Sequence, residues 1–172
     1  AYDSAGNRTQ LTYPDGMVLN YSYDSLGRLT EIRESGQMIA RYAYDALSRV
    51  VRRDLQNGTF STYTYDASSR LLDLINSKST SEIISRFIYT YDGVGNRVSV
   101  TTLEGTTQYV YDQINQLTRV VVPGGSTTNY NFDSSGNRSL VVQDGNPSPY
   151  TTNNLNQYTD VGGDPYTYDA NG

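Results

Sequence analysis

The chain has no cysteine and no histidine among its 172 residues, and a single lysine, Lys78. The missing cysteine removes disulfides and thiolate chemistry and leaves the redox compartment open. The missing histidine excludes a Ser-His-Asp triad. No run of about 18 apolar residues occurs, so no spanning helix is encoded, and the first residues show no signal-peptide pattern. Apolar residues are scarce as well, at 36% against about 45 to 50% in an ordinary globular domain. Many of them are the 17 Tyr, whose hydroxyls need partners or water, so a dry, oil-like interior is not expected. The formal charge of −5 offers no basic stripe to a phosphate backbone, which excludes nucleic acid as a partner. The other twelve basic residues are Arg, a bias suited to planar, stacked or bidentate contacts.

What the chain does have is a repeating dipeptide. Tyr-Asp or a near copy stands at Tyr2-Asp3, Tyr23-Asp24, Tyr44-Asp45, Tyr65-Asp66, Tyr91-Asp92, Tyr111-Asp112, Phe132-Asp133 and Tyr168-Asp169, in steps of 21, 21, 21, 26, 20, 21 and 36 residues. Self-similarity at this period marks units that bury their faces against their neighbours. After each dipeptide comes a short Gly, Asn or Ser stretch and then Arg, as in Gly27-Arg28, Ser48-Arg49 and Ser69-Arg70. A second form reads as one residue longer: Gly6-Asn7-Arg8, Gly95-Asn96-Arg97 and Gly136-Asn137-Arg138. Asp can bond the backbone two residues on, while Gly or Asn accepts positive φ, so the segment is a tight turn ending a strand.

A second turn signal follows 13 or 14 residues after most motif Tyr: Pro14-Asp15-Gly16, Ser35-Gly36, Asn57-Gly58, Glu104-Gly105, Gly124-Gly125, Asp144-Gly145 and Gly162-Gly163. Short alternating runs between two turn types are the signature of β-hairpins. The 26-residue step is explained by Asn76 to Ser81, which has the composition of a flexible loop at a hairpin tip. The 36-residue gap divides if Tyr150 to Gln157 is a degraded motif. The fold expected is all-β: antiparallel β-hairpins in one curved continuous sheet, an open superhelical barrel or solenoid. It forms a single array of eight to nine repeats over residues 1–172. Roughly sixteen strands about 4.8 Å apart make a sheet too broad to stay flat. Both chain ends fall inside the motif, which reads as a piece of a longer chain, and the edge strands so exposed are expected to pair with another copy.

Tyr21 and Tyr23, Tyr42 and Tyr44, Tyr63 and Tyr65, Tyr89 and Tyr91, Tyr109 and Tyr111, Tyr130 and Phe132, and Tyr166 and Tyr168 are spaced i, i+2. Each pair projects to one face of its strand, and stacked repeats should line the rings into aromatic ladders. Rows of this kind could stack on sugars, but in an array they are more simply packing.

The repeated Asp and Arg could suggest paired-carboxylate catalysis. Groups present in every repeat are more simply turn caps and inter-repeat ion pairs, and no catalytic residue, cofactor or metal is assigned. Asp160 and Asp164 are the one irregular carboxylate pair. The segments starting at Asp92 and Asp133 resemble calcium loops but lack alternating acids and a closing Glu. Asn7, Asn20, Asn57 and Asn137 fit the N-glycosylation pattern, three of them in turns. The structural repeat residues are therefore Tyr2, Asp3, Arg8, Tyr23, Asp24, Gly27, Arg28, Tyr44, Asp45, Arg49, Tyr65, Asp66, Arg70, Tyr91, Asp92, Gly95, Arg97, Tyr111, Asp112, Phe132, Asp133, Gly136, Arg138, Tyr168 and Asp169.

Tyr-Asp followed by Gly27-Arg28-Leu29, the Tyr-Pro-Asp-Gly of Tyr13 to Gly16, and Leu155-Asn156-Gln157-Tyr158 ahead of Tyr168 to Gly172 together resemble the RHS, or YD-repeat, family. The resemblance implies a hairpin solenoid that spirals into a hollow cocoon, as in bacterial toxin shells, insecticidal toxin complexes and the teneurins. It implies a non-enzymatic wall in a secreted or cell-surface protein, with the rest of an RHS chain and an enclosed C-terminal toxin as partners. A carbohydrate- or protein-binding adhesion module is the alternative. The family's self-cleaving plug is not carried over, because Asp164-Pro165 continues as Tyr166-Thr167 and no Asp-Pro-x-Gly-x-x-Asp pattern occurs.

Overall fold

A computed structural model describes residues 1–169. Its regular elements are all β-strands. Hydrogen-bonded strand order is simply chain order, one open sixteen-stranded antiparallel sheet without a crossover. Two compact units divide the chain, Ala1–Ile88 and the part from Tyr89 onward. The first holds β1 (Gln10–Thr12), β2 (Val18–Tyr23), β3 (Leu29–Glu34), β4 (Gln37–Tyr44), β5 (Val50–Leu55), β6 (Phe60–Tyr65), β7 (Leu71–Ser77) and most of β8 (Ile83–Tyr91). The second holds the end of β8, then β9 (Arg97–Thr102), β10 (Gly105–Tyr111), β11 (Leu117–Val121), β12 (Thr127–Phe132), β13 (Arg138–Gln143), β14 (Asn146–Thr152), β15 (Tyr158–Val161) and β16 (Asp164–Pro165).

Two kinds of turn alternate. Even-numbered strands from β2 to β12 end on the motif aromatic and β14 ends on Thr152, and the motif turn leads each into the next strand. The opposite strand ends are closed by hairpin tips. Ser35-Gly36 and Asp144-Gly145 have φ of 47° and 84°, and 51° and 85°, the paired positive values of a two-residue tip whose twist matches the strands. Asn57-Gly58 sits in a longer tip, where Leu55 N donates to Thr59 O at 2.9 Å. The expected loop over Asn76 to Ser81 is shorter than its composition suggests. Asn76 and Ser77 continue β7, Ser77 is buried, and the tip is a turn in which Lys78 N donates to Glu82 O at 2.9 Å. The insertion lengthens two strands because Asn76 finds cross-strand partners in Ser61 and Ser85.

Across six of the motif turns the register slips by one residue, opposite Tyr23, Tyr44, Tyr65, Tyr111, Phe132 and Thr152. The slip is a bulge. Where the bulged residue is Thr it is tied down: Thr30 and Thr118 hydroxyls donate to the Ser22 and Val110 carbonyls at 3.1 and 3.2 Å. Strict alternation hid this in the sequence. The slip keeps Leu29 and Ile32 on the same face as Tyr23 and Tyr21, since directly paired residues share a face.

In the first unit, rows across this aromatic face read Tyr21, Ile32, Ala40, Leu55, and Tyr42, Arg53, Ser61, Asn76, Ser85. The other face carries charge. Arg41 and Arg33 both reach Glu31 at 2.9 and 2.8 Å, Arg52 reaches Asp54 at 2.7 Å, and Arg86 reaches Asp73 at 2.7 Å. In the second unit hydroxyl pairs stand there instead, Thr101 with Thr106 and Thr151 with Thr159. A single layer has little interior, and Ala40 is the one buried hydrophobic residue among those described.

Candidate functional site

Each motif turn is built by its aspartate. Asp45 N donates to Arg49 O at 3.0 Å and Ser48 N to Asp45 O at 3.1 Å. Asp45 Oδ1 meanwhile accepts from Leu47 N at 2.9 Å and Arg49 N at 3.0 Å. The same backbone closure is made in all eight motif turns, beginning at residues 3, 24, 45, 66, 92, 112, 133 and 153, and in the tips beginning at residues 13, 55, 78 and 122. The fourth residue takes positive φ, served by Gly27 at 74° and Gly95 at 101°, and elsewhere by Ser48, Ser69, Asn115 and Asn156 at 59–66°.

The fifth residue carries the link between repeats. Arg49 Nε donates to Asp45 Oδ2 at 2.7 Å, and both side chains are 22% exposed. Its Nη1 reaches the next repeat, donating to the Asp66 carbonyl at 2.9 Å and Ser69 Oγ at 3.2 Å. The guanidinium then lies 4.7 Å from the Tyr65 ring centroid. Arg28 repeats every one of these contacts with Asp24, Asp45, Ser48 and Tyr44, and Arg70 holds Asp66 at 2.6 Å. The next motif tyrosine closes the clasp. The Tyr23, Tyr44, Tyr65 and Tyr111 hydroxyls donate to the carbonyls of Arg8, Leu29, Val50 and Arg97 at 2.7–3.0 Å, and Tyr168 donates to Tyr158 O at 2.9 Å.

The Gly-Asn-Arg form is not longer after all. Asn7, Asn96 and Asn137 occupy the fifth position and donate to Oδ2 of Asp3, Asp92 and Asp133 at 2.9–3.1 Å. Asn96 and Asn137 also reach the next turn, at Asn115 and Asn156 Oδ1. The arginines that follow are displaced one position into the strand. Arg138 stacks over Tyr130 and Tyr150 at 4.8 and 6.0 Å, Arg97 over Tyr109 and Tyr89 at 5.0 and 5.7 Å, and Arg8 over Tyr2 at 5.9 Å. A planar amide reproduces the hydrogen bonds of the guanidinium in the turn, and the arginine is left free to stack.

The expected rows of ring against ring become rows of ring against guanidinium, because an odd-numbered strand always lies between two motif strands. Ring meets ring at Tyr150–Tyr158, 5.4 Å apart and edge-on. Phe132, lacking the hydroxyl, sits opposite Arg138 across the bulge. Asp112 closes its turn with Gln116 in the arginine position. In the degraded motif Thr152 and Asn153 replace Tyr-Asp, with Asn153 Oδ1 accepting from Leu155 N and Gln157 N. Asp160 Oδ1 accepts from Gly163 N at 2.9 Å and caps a tip. Tyr91 ends β8, and Asp169 is the last described residue. The remainder of its motif, Ala170 to Gly172, lies outside the described residues.

Sequence reasoning missed the residues that receive the link, Ser48, Ser69, Asn115 and Asn156. Their signal was the residue just before the Arg, Asn or Gln of each turn, where Ser or Asn alternates with Gly. The electrostatics follow the geometry. Asp24 and Asp45 are held below the usual aspartate value of 3.8, first by the backbone N–H of Arg28 and Arg49 and then by their side chains. Asp3 and Asp133 are lowered first by the amides of Asn7 and Asn137. Burial pushes Tyr44 and Tyr65 above 10.0. In the repeats of Arg28 and Arg49 the carboxylate, the guanidinium and the next tyrosine hydroxyl are thus engaged with the turns and with backbone carbonyls, an arrangement that fastens one repeat to the next.

Residues 2–38 match the family model RHS Repeat, and the structural likeness extends over nearly the whole chain. The Tc holotoxin pore of Photorhabdus luminescens, carrying a TccC3-D651A mutation, superposes with a TM-score of 0.78 at 20% identity over 92% of this chain. The TcdB2-TccC3-TEV and TcdB2-TccC3-Cdc42 crystal structures give 0.80 and 0.79 at 19% identity over 93% and 94%. Residues 2–38 thus match an RHS repeat, and the chain shares the fold of those structures. It spans about 10% of the length of each of those chains. Among curated proteins no sequence match was found.

Proposed function

We propose that this chain is an RHS-repeat array throughout and forms a non-enzymatic wall segment of a hollow shell that encloses or displays a polypeptide in a secreted or surface-exposed protein. The clasp carries the reading. Its Asp, Arg and Tyr groups recur along the chain, and Arg28, Arg49 and the closing tyrosine hydroxyls hold one repeat to the next. The fold shared with TcdB2-TccC3 chains supports it. A sugar-binding role finds less support, since the Tyr44, Tyr65, Tyr109 and Tyr130 rings each lie against a guanidinium and the hydroxyls of the first two donate to backbone carbonyls.

The test is to express the longer polypeptide that contains this segment. Negative-stain electron microscopy should show a hollow particle, and its C-terminal polypeptide should resist protease until the shell is unfolded. A solid or open particle with a freely cleaved C-terminus would overturn the reading.

A further inference from the structure

On the aromatic face of the first unit a polar row crosses β5, β6, β7 and β8, and its hydrogen bonds all run one way. Arg53 Nη2 donates to Ser61 Oγ at 3.4 Å, Ser61 Oγ to Asn76 Oδ1 at 2.6 Å, and Asn76 Nδ2 to Ser85 Oγ at 2.9 Å. Donors are left over at both ends. The Ser85 hydroxyl gives its proton to no acceptor among the described residues. Arg53 Nε is buried without a hydrogen-bond partner, and its Nη1, also unbonded, is open to solvent. Arg53 lacks a counter-ion as well. Every other arginine of this unit holds a carboxylate or, at Arg8, lies against the Tyr2 ring. Glu31, Asp54 and Asp73 are bound to arginines on the opposite face, and Glu34 stands at the tip end of β3. A half-buried guanidinium with free donors and no anion is costly to leave unpaired. We propose that this row docks an extended acidic segment of a partner polypeptide, with a carboxylate on the Nη1 edge of Arg53.

Charge and spacing select that occupant. A row of surplus donors that begins at a cation takes a carboxylate, which pairs with a guanidinium through charge-assisted bonds. Apolar side chains flank the row on both sides, Ala40 with Leu55 on one and Tyr63, Leu74 and Phe87 on the other. An extended chain lying along the strands turns every second side chain to the sheet, ~6.8 Å apart, which is also the step from row to row. An apolar-x-acidic-x-apolar segment therefore seats its carboxylate at Arg53 and its apolar groups on the flanking rows. An acidic sugar has no side groups for those rows. The docking adds a contact to the wall proposed above and does not depend on the shell being closed.

Fluorescence anisotropy at low ionic strength is the test, with the 172-residue chain and a labelled, C-terminally amidated Leu-Ser-Glu-Ser-Leu peptide. One ion pair with two small apolar contacts should give a Kd on the order of 0.1 to 1 mM. The same peptide with Gln for Glu, and the Arg53→Gln chain, should each bind at least ~10-fold more weakly. Arg52→Gln, on the opposite face, should leave binding unchanged. Should Arg53→Gln fail to fold, Arg53→Lys, which keeps the charge and loses the planar fork, should show a ~3-fold loss. No saturable binding of the Glu peptide overturns the proposal, and so does equal binding by the Gln peptide or by Arg53→Gln. Tetragalacturonate binding tighter than the Glu peptide would assign the row to an acidic sugar, and acetate binding as tight would assign it to a free anion; either result overturns the polypeptide.

Discussion

The Arg49 guanidinium lies 4.7 Å from the Tyr65 ring, sixteen residues further along the chain and one repeat away. The same arginine holds its own Asp45 at 2.7 Å and the Asp66 carbonyl at 2.9 Å. A sheet of one layer cannot rely on a buried core, and here Ala40 alone is a buried hydrophobic residue among those described. Directional contacts along the turn edge take over part of that work, and because they join neighbours only, stability is expected to be close to a sum over repeats.

The closing tyrosine is the simplest point to probe. Tyr65 is largely covered and its hydroxyl donates to the Val50 carbonyl at 2.8 Å. Tyr65→Phe keeps the ring under Arg49 and removes one hydrogen bond, so a loss of about 1 kcal/mol is expected in urea unfolding. Phe132 already occupies the equivalent position, so the variant should fold. No change in midpoint would show that the hydroxyl contributes nothing to the clasp.

Two aspartates separate turn-building from charge pairing. Asp112 accepts only backbone N–H bonds, from Ile114 and Gln116, and Asn153 shows that an amide oxygen does the same. Asp112→Asn should therefore change stability by no more than about 0.5 kcal/mol. Asp45→Asn keeps the turn and loses the ion pair to Arg49, so its thermal midpoint should fall further. Equal midpoints for the two variants would argue that the ion pair adds nothing.

The hairpins, the turn chemistry and the repeat boundaries were legible because Gly, Asn and Asp have local reasons to sit where they do. Asp24, for instance, bonds Leu26 N two residues on. Three features were not legible, and for one reason: each depends on where the next repeat lies. Whether Asn96 or Arg97 fills the clasp is decided by which side chain reaches Asp92 Oδ2. Ser48 becomes a receptor only when Arg28, twenty residues earlier, is beside it. The bulge at Thr30 shows only once Glu31 is paired with Ser22 and Leu29 with Tyr23.

Gly105 is the tip glycine with least room. Its φ is +132°, and an added Cβ would stand 2.9 Å from Pro123 Cβ and 3.1 Å from Cγ. The proline ring is stiff and cannot swing aside, so Gly105→Ala combines backbone strain with a clash. A loss of roughly 1 to 3 kcal/mol is expected. The control is Gly16→Ala, also at positive φ but with nothing within 4 Å, which should cost less. Equal losses would remove the Pro123 contact from the account.

The pH profile should be a plateau with two unequal edges. Asp24, Asp45 and Asp66 all sit below 3.8 in the folded chain, with the N–H of Arg28, Arg49 and Arg70 as the first cause. Between the folded and unfolded values the unfolded chain binds more protons, so their stabilisation is complete above 3.8 and is lost as pH falls through the lowered values. Tyr44 and Tyr65 behave oppositely. Burial raises them above 10.0, so the folded chain holds its protons longer, and stability falls as pH rises from 10.0 through the raised values. No histidine is present to titrate between these edges. Urea midpoints measured from about pH 2 to about pH 11 should hold level from roughly pH 5 to pH 9. Tyr65→Phe should soften the alkaline fall and leave the acid one in place. A fall in midpoint between about pH 5 and pH 8 would contradict the assignment of the clasp carboxylates as the acid-sensitive groups.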